Sequence, residues 1–289
     1  MRIRDWLEGA RLRTLPAAVA PVFVGMGGAA ALGDLSWGKS ALAFGVALFL
    51  QVGVNFANDY SDGIRGTDAH RVGPQRLTAS GVVSRSTVLG LALSCFAAAG
   101  VLGLWLVVWA QTWWMLAVGL LAVAAAWFYT GGKRPYGYAG VGLSELMVFI
   151  FFGLVATVGT AWVQSYSAPW WLWVAASGIG LASVALLLVN NIRDIPTDSE
   201  VGKKTLCVRI GDKASRWLYA ITMVVSVACA AIATAWWMAL PMAACATPGL
   251  VQVMRGSKGK NLLGALRNTG LYALAYGILA GLGLALLPL

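Results

Sequence analysis

The sequence predicts an all-α integral membrane protein: nine transmembrane helices, N-terminus on the cytoplasmic side, in one membrane-embedded domain over residues 1–289. Three observations predict it. Hydrophobic residues make up 59% of the chain and charged residues 11%, whereas ordinary soluble domains carry about 25% charged residues. The apolar residues gather into runs of about 17–23, long enough to cross a hydrocarbon core of ~30 Å as helices. The basic residues fall almost entirely in alternate connections between those runs, the pattern of loops held on the cytoplasmic side.

The first run, Thr14–Leu32, follows Arg2, Arg4, Arg11 and Arg13. It has no short apolar stretch ending in a small-residue cleavage site, so no removable signal peptide is expected. The second, Ser40–Asn58, starts beside Lys39 and ends where a group of aspartates begins. Thr87–Trp109 and Trp113–Tyr129 flank the short joint Ala110-Gln111-Thr112, and Val141–Val163 and Trp170–Asn191 flank Gln164–Pro169. Trp217–Trp237 and Met238–Met254 are divided mainly by Ala239-Leu240-Pro241, and Asn268–Leu287 is the last run. Threading nine spans from an inside N-terminus puts 20 of the 21 basic residues on the cytoplasmic side, leaves only Lys39 outside, and places the C-terminus outside.

The long connections, Asp59–Ser86, Thr130–Gly140, Ile192–Arg216 and Arg255–Arg267, are then all cytoplasmic, so function is expected on that face. The Trp-rich joints around Trp109, Trp113, Trp114, Trp170, Trp171, Trp173, Trp236 and Trp237 fit an aromatic belt at the outer interface. Topology and contact with anionic membrane lipid account for the net charge of +10, and no nucleic acid partner is expected. His70 is the only histidine, which excludes histidine-based metal sites and Ser/His/Asp triads. Cys95, Cys207, Cys229 and Cys245 show no metal-ligand spacing and are expected to be free thiols.

Two polar stretches stand out in this apolar chain. The first runs Asn55-Phe-Ala-Asn58-Asp59-Tyr-Ser-Asp62-Gly-Ile-Arg65-Gly-Thr-Asp68, and the second Asn190-Asn191-Ile-Arg193-Asp194-Ile-Pro-Thr-Asp198. Together they hold five of the 11 acidic residues. They end the second and sixth runs, four spans apart, which suggests a four-helix unit used twice with a ninth helix added. Asn55 and Asp59, Asn58 and Asp62, Asn190 and Asp194, and Asp194 and Asp198 are each four residues apart. On a helix that spacing puts both side chains on one face, one turn apart.

Carboxylates this close need something positive between them. Divalent cations are one answer; Arg65, Arg193, Lys203 and Lys204, pairing with them in a solvated loop, are the other. Magnesium takes oxygen ligands, commonly one or two carboxylates plus waters and substrate phosphate oxygens. Two facing clusters can hold such ions around a bridging diphosphate. Lys133 and Arg134 follow Tyr129-Thr-Gly-Gly, and Lys203 and Lys204 follow the second cluster, so bases suited to a diphosphate adjoin both. Glu145 is the one acid inside a run, and an ionisable group there is a candidate functional residue.

These strings resemble the UbiA-type superfamily of intramembrane aromatic prenyltransferases over nearly the whole chain. The family carries Asn-x-x-x-Asp-x-x-x-Asp after its second helix and Asp-x-x-x-Asp after its sixth. Asn58-x-x-x-Asp62 and Asp194-x-x-x-Asp198 match, but Gly66 stands where the first motif's last acid is expected, and the next acid is Asp68. That shift looks like the 1,4-dihydroxy-2-naphthoate prenyltransferase branch. So do Arg13-Thr-Leu-Pro-Ala, Gly73-Pro-Gln-Arg-Leu-Thr-Ala-Ser-Gly81, Tyr129-Thr-Gly-Gly and Gly202-Lys-Lys-Thr-Leu206.

The resemblance implies transfer of a polyprenyl group from a polyprenyl diphosphate to 1,4-dihydroxy-2-naphthoate, with loss of diphosphate and carbon dioxide, in menaquinone synthesis at the cell (inner) membrane. It implies Mg²⁺ on Asn58, Asp59, Asp62, Asp68, Asp194 and Asp198, with Asp62, Asp194, Lys133 and Lys203 central to catalysis. Arg65, Lys133, Arg134 and Lys203 are the expected diphosphate ligands. Arg13, Asn55, Tyr129, Glu145 and Asn190 are expected around the aromatic acceptor.

Three other readings compete. Prenyl transfer to another acceptor, such as 4-hydroxybenzoate, would use the same motifs. A CDP-alcohol phosphotransferase would continue Asp59-x-x-Asp62-Gly63 with a downstream Ala-Arg, which is absent, and would not need a second distant cluster. A cation transporter with two acidic half-sites would place them near the bilayer midplane, whereas these lie at run ends beside lysines.

Overall fold

The computed structural model describes residues 6, 9–11, 14–66, 77, 78, 80, 81 and 83–286. Among these residues the fold is all-helical, with no strand. Its long helices are α1 (Leu15–Ala31), α2 (Trp37–Arg65), α3 (Arg85–Ala110), α4 (Met115–Thr130), α5 (Leu143–Ser165), α6 (Trp170–Glu200), α7 (Leu206–Ala233), α8 (Ala239–Met254) and α9 (Leu262–Leu286). Among the described residues, seven helices are long and apolar enough to cross a membrane. The runs predicted at Thr14–Leu32 and Trp113–Tyr129 correspond to α1 and α4, which are apolar but shorter, at 17 and 16 residues.

Local signals start and stop these helices. Ser36, Ser84 and Thr205 accept the backbone amides of Lys39, Thr87 and Val208 and so cap α2, α3 and α7. Pro16 sits in the first turn of α1, where a missing N–H costs nothing. Gly66 ends α2 in the left-handed region, at φ 72°, with its N–H on the Asp62 carbonyl. Residues 150–155 of α5 form a π-helical turn, and Gly211 breaks the start of α7 with non-helical angles.

Two helices outrun their apolar stretches. The predicted second and sixth runs end at Asn58 and Asn191, but α2 continues to Arg65 and α6 to Glu200, through Pro196. At 1.5 Å per residue the two helices are about 43 and 46 Å long, well beyond a ~30 Å hydrocarbon core. Asn55–Arg65 and Asn190–Asp198 therefore lie on helical turns rather than in loops, and their four-residue spacings do put side chains on common faces.

α6 is the central element, packing most extensively on α7, while α2 packs on α3 and α9 on α1. Leu172, Ala175, Ala176, Ile179, Ala182, Ala185, Leu188 and Val189 of α6 are wholly buried. Buried polar side chains link neighbouring helices: Tyr219 pairs with Thr269, Ser226 with Tyr272 and the Gly178 carbonyl, and Tyr276 donates to the Ala175 carbonyl. All four cysteines are free thiols, as expected.

At the end of the molecule remote from the aspartates, Lys39 donates to the Val163 carbonyl at 2.9 Å and lies 5.6 Å from the Tyr166 ring centroid. Trp109, Trp113, Trp114, Trp170, Trp173, Trp236 and Trp237 are exposed. These are the tryptophans, other than the buried Trp171, that the sequence assigns to an interfacial belt.

At Gly27 and Gly281, α1 and α9 meet backbone to backbone. A Cβ built on Gly27 would stand 2.1 Å from the Gly281 carbonyl oxygen and 2.5 Å from its Cα, both backbone atoms that cannot turn aside. Gly27→Ala should lower stability by roughly 1–3 kcal/mol, the usual cost of overpacking. A depressed thermal midpoint of the detergent-purified variant checks this; a wild-type midpoint refutes the contact.

Candidate active site

The last turns of α2 carry two polar faces. On one, Asn55 donates to the Ala10 carbonyl at 2.9 Å and to Thr14 Oγ1 at 3.0 Å, while Gln51 donates to Thr14 Oγ1 at 2.9 Å. Asn55, expected near the aromatic acceptor, thus ties the N-terminal segment to α2. One turn on, Asp59 is buried, and its two carboxylate oxygens accept the backbone amides of Leu77 and Thr78, each at 2.9 Å. Asp59, expected among the metal ligands, fastens the chain where it returns after α2.

The second face carries Asn58 and Asp62, both buried. Asn58 Oδ1 accepts the Thr130 hydroxyl at 2.7 Å. Arg65 donates to the carbonyls of Thr130 and Gly132. The end of α4 is therefore sewn to the end of α2, bringing the Tyr129-Thr-Gly-Gly turn to the first cluster. Lys133 and Arg134 are exposed on that turn. Behind them Tyr136 donates to the Ala125 carbonyl at 2.8 Å and meets Tyr129 edge to face at 5.6 Å. Burial pushes the Tyr136 phenol up to about 12.

The end of α6 brings Asn191, Arg193, Asp194 and Asp198 into the interior. Arg193 holds both oxygens of Asp194, Nε to Oδ1 at 2.7 Å and Nη2 to Oδ2 at 2.6 Å. This fork geometry is a strong charge-assisted pair, and with Lys203 it makes two of the predicted bases that pair with predicted acids. Lys203 stands 3.5 Å from Asp198 Oδ1, and its backbone amide bonds the Asp198 carbonyl at 2.8 Å.

Tyr138, in the turn Tyr136–Tyr138 before α5, joins the two clusters. Its hydroxyl donates to Asp62 Oδ1 at 2.5 Å, and its ring centroid lies 5.2 Å from Lys203 Nζ and 5.6 Å from the Arg65 guanidinium. Tyr129 meets Tyr136 edge to face, which sets it beside the turn that carries Tyr138. Glu145 is buried in the first turn of α5, and its Oε1 has no hydrogen-bond partner among the described residues. Asn190 is half-buried. Asp68 and Arg13 lie outside the described residues.

The donor set consists of hard oxygens. Among the described residues no three acidic, histidine or cysteine side chains stand together as a metal cage. Each cluster offers one or two carboxylates and an asparagine amide, which fits an ion such as Mg²⁺ that completes its shell with water and phosphate oxygens. Sequence reasoning missed Tyr138 and Thr130. The available signal was their position in the polar connection Thr130–Gly140, directly beside Lys133 and Arg134.

A model of the UbiA prenyltransferase family matches residues 18–261. The chain is 44% identical over 278 residues to a 1,4-dihydroxy-2-naphthoate octaprenyltransferase of Mycobacterium tuberculosis, covering 95% of this chain and 94% of that protein. It is 35% identical over 237 residues to the Escherichia coli protein of the same name, covering 80% and 76% respectively. In fold it is similar to a UbiA homolog from Archaeoglobus fulgidus bound to GPP and Mg²⁺, with TM-score 0.65 and 14% identity over 98% of this chain and all of that one. A UbiA homolog from Aeropyrum pernix gives TM-score 0.62 and 20% identity, with 98% of each chain covered.

Proposed function

The chain belongs to the UbiA prenyltransferase family, and on that premise we propose that it is a multi-pass membrane 1,4-dihydroxy-2-naphthoate polyprenyltransferase. It transfers a polyprenyl group from an allylic diphosphate to 1,4-dihydroxy-2-naphthoate, releasing diphosphate and carbon dioxide, in menaquinone synthesis. The observation that carries the reading is that Tyr138 bonds Asp62 of α2 and lies against Lys203, which pairs with Asp198 of α6.

Asn58, Asp62, Asp194 and Asp198 would hold Mg²⁺, with Asp68 joining from beyond Gly66. An ion held there would supply positive charge to stabilise the leaving diphosphate. Lys203 and Arg65 flank the same space, and Lys133 and Arg134 face solvent beside it, so four cations are at hand for the diphosphate. The chain's apolar surface shelters the allyl group from water while the electron-rich naphthalene ring attacks; loss of its carboxylate then restores aromaticity. Tyr129, Glu145 and Asn190 border the acceptor, with Arg13 as a partner for its carboxylate. Asp59 and Asn55 act one step back, holding the segments that close the site. The isoprenoid tail lies in lipid, where each buried CH₂ gains ~0.8 kcal/mol.

The full topology in this reading is nine spans, arranged as two four-helix units plus one, with the N-terminus and the active site on the cytoplasmic face of the inner membrane. The segregation of 20 of 21 basic residues supports it.

Purified enzyme supplied with 1,4-dihydroxy-2-naphthoate and a set of polyprenyl diphosphates should yield, by mass spectrometry, a prenylated naphthoquinol lacking the acceptor carboxylate. Prenylated 4-hydroxybenzoate as the main product of a mixed-acceptor reaction would overturn the assignment.

A further inference from the structure

Tyr138 bonds the first polar stretch directly and reaches the second through Lys203. Its phenol bonds Asp62 of α2 at 2.5 Å. Its ring lies 5.2 Å from Lys203 Nζ, and Lys203 is itself 3.5 Å from Asp198 of α6. The Arg65 guanidinium lies 5.6 Å from the same ring, and that arginine bonds the carbonyls of Thr130 and Gly132. The tyrosine is presented by the turn Tyr136–Tyr138, which neighbouring contacts fix: Tyr136 donates to the Ala125 carbonyl, and its ring meets Tyr129.

From this geometry we infer that Tyr138 is a positioning residue that sets two functions separately. Its hydroxyl orients the Asp62 carboxylate for the metal, and its ring orients Lys203 and Arg65 for the diphosphate. The inference rests on the prenyl-transfer reading of the same site.

The physical basis differs for the two halves. Asp62 is buried on the last turns of α2, and the Tyr138 hydroxyl is one of the contacts that hold its carboxylate in place. A phenol donating to one oxygen restrains the plane of the group. Partners of this kind around a ligating group are commonly worth 10–100-fold in metal affinity. The ring acts on the cations instead. Its negative face draws an ammonium or guanidinium to within ≈ 6 Å, and two cations that would otherwise repel are held on one platform. No side chain lacking a ring does this, and no ring lacking a hydroxyl orients Asp62.

Two variants separate the halves. Tyr138→Phe keeps the platform and removes the donor; Tyr138→Leu removes both. The direct readout is Mn²⁺ binding, followed by electron paramagnetic resonance on nanodisc-embedded protein with inorganic diphosphate present. Tyr138→Phe should shift the Mn²⁺ titration by about tenfold or more toward weaker binding. Its kcat should recover to within a few-fold of wild type at saturating Mg²⁺, and its KM for polyprenyl diphosphate should be unchanged there. Tyr138→Leu should show the same metal shift and, at saturating Mg²⁺, a KM for polyprenyl diphosphate raised several-fold.

A Tyr138→Phe protein with a wild-type Mn²⁺ titration overturns the inference. So does a kcat loss that added metal does not repair, which is the mark of a purely structural tyrosine. So does a Tyr138→Leu protein with wild-type KM. Failure of the underlying reading looks different: the wild-type protein itself then binds no Mn²⁺ with diphosphate or makes no prenylated product.

Discussion

Asp62→Ala should purify as a folded membrane protein and turn over at least ~10²-fold more slowly than wild type, the scale of losing one charge-stabilising group in an active site. Asp62 is buried at the end of α2, and its Tyr138 bond joins it to the second cluster. Removing its carboxylate takes away a proposed metal ligand and leaves the apolar part of the helix untouched. Asp194→Ala should lose activity to a similar degree but for a compound reason. Arg193 is buried and bonded by both Asp194 oxygens, so deleting them strands a buried cation. Breaking such a pair costs ~3–5 kcal/mol. Asp194→Ala should therefore also lose thermal stability, whereas Asp194→Asn keeps an acceptor for the guanidinium and should lose activity with less destabilisation. Initial rates of product formation, set beside thermal midpoints, separate the two effects. Near-normal turnover by Asp62→Ala would remove it from the site.

Chelation should have the other large effect. With excess EDTA the activity should fall to background and return on adding Mg²⁺ above the chelator. Three side chains of the kind that cage a metal do not stand together among the described residues. An ion here depends on substrate oxygens and water for the rest of its shell and exchanges readily. Loss and recovery should therefore be fast and complete, and the protein's thermal midpoint without diphosphate should barely move. Full turnover in excess EDTA would sink the metal mechanism; slow, partial recovery would point to a structural ion instead.

Hydropathy located the helices well because a lipid-facing helix must be apolar along its whole buried length. It failed at the ends that leave the lipid. Backbone i→i−4 bonds carry α2 from Asn58 to Arg65 and α6 from Asn191 to Glu200, where side chains are polar and the apolar signal stops. Similarly, α7 begins at Leu206, before the run starting at Trp217, with a break at Gly211. In the site, the scarcity of charge made Asp62, Asp194 and Asp198 legible. The work of Asp59 and Asn55 was not, because their partners are mainly backbone atoms of Leu77, Thr78 and Ala10, which have no residue-type signature. Tyr138 was hidden for another reason: in a chain with eight tyrosines and 14 tryptophans, one more aromatic near a helix end reads as an interfacial anchor. Gly66 became intelligible only with the structure. It caps α2 in the left-handed region, so the helix stops where the family pattern has an acid.

The π turn at residues 150–155 means that α5 contains one residue more than a regular helix of the same height. Each residue turns an α-helix by about 100°. The wider turn absorbs that residue, so the stretch bearing Glu145 and the stretch from Ala156 onward keep the phase of an unbroken helix. Losing one codon within residues 150–155 lets the turn close into regular α-helix, whereas losing one from the flanking α-helical turns rotates Glu145 by about 100° against the far end of its helix. A single-residue deletion should therefore be absorbed in the π turn and disruptive on either side of it.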